Sequence, residues 1–133
     1  MIKKDFILRL VEELAKAIAK ILHLLKDNDV TEAQRMYVHS FGLLKDIDED
    51  NLLQANVEDF YNQLSAENGD VEGLFQSLSE LLFMGSKIYK REGNLTKAKL
   101  TNAKALEILE YIDSISSNYS IERNNLMAQL RAE

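Results

Sequence analysis

Ser86-Lys87-Ile88-Tyr89-Lys90-Arg91-Glu92-Gly93-Asn94-Leu95-Thr96-Lys97-Ala98-Lys99 contains the clearest turn in this chain, at Glu92-Gly93-Asn94. On its upstream side, Val71, Leu74, Phe75, Leu78, Leu81, Leu82, Ile88 and Tyr89 recur at helical spacing, which predicts a helix capped by Asp70 and reaching Arg91. Downstream, Asn94 or Thr96 opens a second helix that runs to about Ile115. Two helices joined by so short a turn form a hairpin.

Outward from this hairpin the same pattern continues. Ile7, Leu10, Val11, Leu14, Ile18, Ile21, Leu24 and Leu25 mark a helix from Lys3 to Lys26. Asp27-Asn28-Asp29 breaks it, and a second helix reads from Thr31 to about Lys45. Asp46 to Asn51 reads as an acidic turn. Asn56, with Asp59 three residues on, starts a short helix to about Ser65. Glu67-Asn68-Gly69-Asp70 and Ser116 to Ser120 are further breaks, and Ile121 to Ala132 closes the chain as an amphipathic helix. Six or seven helices result, with no strand. Composition agrees: there is no Pro, there are 21 Leu and 11 Ala, and Val plus Thr number only eight. Strands favour β-branched residues and their turns consume Gly and Pro, so the expected class is all-α, a single domain over residues 1–133.

The net charge of −6 conceals a sharper distribution. Residues 46–86 carry ten acidic side chains and no Lys or Arg, whereas residues 1–45 and 87–133 each balance to +2. An acidic middle of that size repels phosphate, so nucleic acid is not an expected partner. No run of about 18 apolar residues exists to span a membrane, and Asp5, Arg9, Glu12 and Glu13 interrupt any leader-like stretch. Without cysteine, disulfides and thiolate chemistry are excluded. The expected setting is cytoplasmic.

Tyr89, Gly93-Asn94, Ala98 and Ala105, with Ser86 as a small residue on the first helix, resemble the centre of a tetratricopeptide (TPR) repeat. In that family an aromatic ends the first helix, Gly-Asn or Gly-Asp makes the turn, and small residues seven apart face the partner helix. Sixty-five residues earlier, Leu24, Asn28-Asp29, Ala33 and Ser40 repeat the pattern, with Asn in place of the turn Gly. That spacing is nearly twice the repeat length of about 34 residues. The resemblance implies repeat-like units at about 10–45 and 78–112, a degenerate unit at about 52–81 around Leu64, Asn68-Gly69-Asp70 and Gly73, and a C-terminal capping helix. The absent Trp, the absent Pro and Asn102 at a usually aromatic place depart from the family. The opening Asp5-Phe6-Ile7-Leu8-Arg9-Leu10-Val11-Glu12 is similar to the start of an uncharacterised bacterial family of small TPR-like proteins, which implies no function.

Catalytic and metal chemistry find little support. His23 and His39 lie on neighbouring helices, staggered by roughly 7 Å, and Lys20 and Met36 stand where a Glu-x-x-His pair needs Glu. Asp46-Ile47-Asp48-Glu49-Asp50 copies the start of a calcium loop, but Asn51 replaces its Gly and Val57 its closing Glu. There is no Gly-rich phosphate loop and no nucleophile–base pair. No metal, cofactor or enzyme activity is expected.

The informative feature is apolarity away from the core stripe. Phe83 points about 100° from the stripe of its helix, so it either faces a groove or packs under another helix or a second copy, with the nearby lysines solvated. In the TPR resemblance, Phe83, Lys87 and Lys90 lie where first helices line a concave groove, and Ile18, Leu22 and Leu25 fall on the matching face of the first repeat. The expected function is therefore a non-enzymatic protein–protein interaction module, binding a helix or peptide in that groove or associating as a homodimer. The alternative is a small-ligand-binding protein or enzyme with a pocket between the hairpins.

Overall fold

A computed structural model describes residues 3–45 and 47–133, and the chain is all-helical over them. Seven helices follow in order: α1 (Lys3–Lys26), α2 (Val30–Gly42), α3 (Glu49–Gln54), α4 (Val57–Asn68), α5 (Glu72–Arg91), α6 (Leu95–Ile115) and α7 (Ile121–Ala132). Most begin on a side chain suited to the task. Asp29, Asp48, Asn56, Asn94 and Ser120 each accept a hydrogen bond from the backbone N–H three residues on. Asp70 accepts instead from Glu72 N, 3.1 Å away.

The turns α1–α2 and α5–α6 are the same turn, 65 residues apart. Asn94 N donates to Tyr89 O and Gly93 N to Lys90 O, at 2.8 and 3.1 Å; Asp29 N donates to Leu24 O and Asn28 N to Leu25 O, at the same two distances. This is the double bond of a Schellman motif, which needs a left-handed residue after the helix. Gly93 (φ 83°) and Asn28 (φ 59°) supply it. Asn94 and Asp29 then cap the following helix, so each hairpin turns within three residues. The break at Gly69 closes differently, through Gly69 N to Ser65 O.

Helices α1, α5 and α7 lie side by side in the same direction. Gly73 lies against Val11 near the starts of α5 and α1, and Arg91 donates to Leu25 O (3.2 Å) at their ends. Gln76 meets Glu122 near the starts of α5 and α7, and Lys90 meets Glu133 at their ends. Helix α6 makes the most extensive contact with α5, and α2 also packs on both α1 and α5. Gly85 sets how closely α2 approaches: a Cβ there would overlap the Tyr37 ring. Helix α4 is held by aromatic contacts, Tyr61 to Phe75 (4.8 Å) and to Tyr111 (5.3 Å).

Three local expectations need correction. The acidic stretch is not merely a turn, because Glu49–Gln54 is helical. Asp48 caps it, bonding both the N and the Nδ2 of Asn51. Helix α2 ends at Gly42 rather than Lys45, and α4 extends to Asn68 rather than Ser65. The third concerns α5, where no single stripe exists. Thirteen of its twenty residues are buried, including Phe83, Met84 and Ser86. A helix buried all round is a core helix, so distance from the stripe does not mean exposure.

Candidate functional site

A groove runs along α5 between α1 and α7. One hollow of about 410 Å³ is lined by Val11, Ala15, Ile18, Gly73 and Ser77 among others. A second, of about 340 Å³, is lined by Ile18, Leu22, Phe83, Met84, Lys87 and Leu126 among others. Ile18, Glu80 and Glu122 border both, so the two hollows adjoin in one channel, with a carboxylate pair where they meet and Lys87 in the second.

Of the six residues expected in the groove, four line this channel: Ile18, Leu22, Phe83 and Lys87. Leu22 is 39% exposed and reachable. Phe83 is only 3% exposed, so it forms floor rather than a projecting anchor. Lys87 lies over its ring at 4.5 Å, a cation–π contact that covers the aromatic face. The remaining two lie elsewhere. Leu25 is 3% exposed and packs in the core, because it falls in the last turn of α1 beneath the α1–α2 turn. Lys90 pairs with Glu133 at 3.2 Å and borders a different hollow, between α6 and α7.

Glu80, Glu122 and Met84 escaped the sequence reading. A signal for Glu80 existed, since Glu80 and Lys87 are the only charged residues between Leu74 and Tyr89. Burial, and secondarily the neighbouring Glu122, push the Glu80 carboxyl up to about 7. Glu122 accepts a hydrogen bond from Gln76 Nε2 at 3.3 Å.

A second polar cluster has a different character. Glu49 on α3 accepts hydrogen bonds from Tyr37 Oη (2.6 Å) and Tyr89 Oη (2.7 and 2.9 Å), and pairs with Lys97 at 3.1 Å. Burial first, then the Glu49 carboxylate, hold both tyrosines well above their ordinary range. The Lys97 ammonium is also raised, chiefly by its hydrogen bond to Glu49. A carboxylate engaged by three donors from α2, α5 and α6 ties those elements together. It also shows where part of the acidic middle goes: Glu49 and Asp50 face the basic C-terminal part through Lys97.

The other sequence candidates do not converge. His23 is 3.3 Å from Asp27 on the surface, and His39 is exposed. Among the described residues no three His, Asp or Glu side chains gather as metal ligands would. Asp46 of the calcium-like stretch lies outside the described residues, Asp48 is a helix cap and Glu49 faces the tyrosines. Cations near the α5–α6 turn are already engaged: Arg91 bonds Leu25 O, Lys97 bonds Glu49 and Lys90 bonds Glu133. On α6, Ile108 is fully buried, whereas Leu100 and Ile115 are exposed. Helix α7 folds back on α6 with Leu126, Met127 and Leu130 buried, so these three are not free to form a dimer interface. No described helix is long and apolar enough to cross a membrane. Compared with protein families, curated proteins and solved structures, the chain matches none.

Proposed function

We propose that the chain is a TPR-like stack of helical hairpins whose α1–α5–α7 face binds a helical or extended segment of a protein partner, without catalysis. The observation that carries this reading is the pair of adjoining hollows along α5, charged only at Glu80, Glu122 and Lys87 and walled by two further helices that run in its direction. Its dimensions suit side chains of a docked segment. The hairpin architecture is supported by the identical Schellman turns 65 residues apart, each followed by small buried residues, Ala33 and Ser40 in one case and Ala98 and Ala105 in the other. Such a stack presents its first helices on one face, which is where α1, α5 and α7 lie.

A photo-crosslinking residue placed at Leu22 tests the site, with Val38 as control. Val38 is 59% exposed on α2, outside the groove. A discrete crosslinked protein from position 22 and none from position 38 is the expected result, and a product at twice the 15.2 kDa chain mass would assign the groove to a second copy. The same products from both positions, or none from position 22, would remove the groove from consideration.

A further inference from the structure

The middle of the groove is acidic and holds no cation of its own. Glu80 and Glu122 border both hollows, and among the described residues neither lies within 4 Å of a Lys or Arg nitrogen. Apart from Lys87, the side chains that line the two hollows with them are neutral, among them Ala15, Ile18, Ala19 and Leu22 from α1, Gln76 and Ser77 from α5, and Asn125 and Gln129 from α7. The one ammonium in the channel, Lys87, stands two turns further along α5, over Phe83. A purely apolar ligand laid across this channel would strip water from two carboxylates and return nothing for it. A ligand with a guanidinium or ammonium at that point removes the repulsion and satisfies both acids at once.

Resting on the groove reading above, we infer that the docked segment is an amphipathic helix of a partner protein carrying a Lys or Arg on its apolar face, seated between Glu80 and Glu122. Apolar residues one turn to either side of that cation would enter the hollows at Val11 and Gly73 and at Leu22 and Leu126. The Lys87 end disfavours a second cation there. Because Glu80 sits close to half-protonated at neutral pH in the free protein, seating a cation draws it into the ionised form and releases a proton. Binding therefore strengthens as pH rises, by up to about tenfold between pH 6 and 8.

The test is selection of helical peptides from a random phage-displayed library on the full chain, followed by titration of the winners on the native chain and two variants. Peptides whose binding is lost with Leu22→Asp report the groove. These are expected to share a Lys or Arg at one position, and its replacement by Gln should weaken binding roughly tenfold or more to the native chain. The same replacement should change binding less than about twofold with Glu80→Gln/Glu122→Gln, where the pH dependence should also vanish. Leu22-dependent peptides with no positional preference for a cation would overturn this inference and leave the groove standing. If no recovered peptide depends on Leu22, the groove reading itself falls, and this inference with it.

Discussion

Glu80 shows how one side chain carries both a cost and a use. Its folded-state pKa, about 7, lies above that of an unfolded glutamate, near 4.3. Between those values the folded chain binds more protons than the unfolded one, so stability falls as pH rises through that window and levels off above it. The side chain is partly open to water, and after discounting for that the full effect is about 1–2 kcal/mol. Glu80→Gln is expected to raise the thermal midpoint at pH 8 by a few degrees and leave it nearly unchanged at pH 5. Melting curves at the two pH values check this, and an equal gain at both would refute the assignment. Gly85 makes the opposite case, where an absent side chain is the requirement. Gly85→Ala forces Tyr37 aside and should cost about 1–3 kcal/mol despite the better helix propensity of Ala. Gly73 has only Val11, at 3.9 Å, near its missing Cβ, so Gly73→Ala should gain up to about 1 kcal/mol. Denaturant titrations in which both changes stabilise would mean that Tyr37 can move away freely.

At the scale of helices, what the sequence made legible followed from local chemistry. Asn94 and Asn56 announce helix starts because a cap acts within three residues. The equivalence of Asn28 and Gly93 was readable because both residue types tolerate a left-handed backbone. Helix α3 was not readable in the same way, because what holds it lies far along the chain. Glu49 reaches Tyr89, forty residues away, and Lys97 on the next helix. The burial of Phe83 was not readable for a related reason: periodicity tells which residues share a face, not how many helices surround it. Glu49→Ala removes the acceptor shared by two buried tyrosines and a lysine, and should cost about 2–4 kcal/mol. Hydrogen exchange in Glu49–Gln54 should accelerate with it. Asp50 is 78% exposed and 3.8 Å from Lys97, so Asp50→Ala should change stability by less than about 0.5 kcal/mol. Comparable losses in the two variants would mean that net charge, rather than the tyrosine cluster, holds α3.

For the whole molecule, the arrangement of contacts says how the fold should come apart. The most extensive contacts join α5 to α6, α1 to α2 and α1 to α5, while α7 packs on α6 and less extensively on α5. In a stack of hairpins each unit depends on its neighbours, so an end helix is removable without dissolving the rest. A chain ending at Ser117 should therefore remain helical and melt cooperatively at a lower temperature. It would lose the burial of Leu126, Met127 and Leu130, and of Arg123, which bonds Asp113 and Asn118 O. It would also lose the groove wall that bears Glu122, so Leu22-dependent peptide binding should disappear while most of the helix content persists. Circular dichroism with peptide titration separates the two effects. Complete unfolding on truncation would instead mean one indivisible core, with α7 as part of it rather than a cap on a stack, and the hairpin-repeat reading would have to be given up.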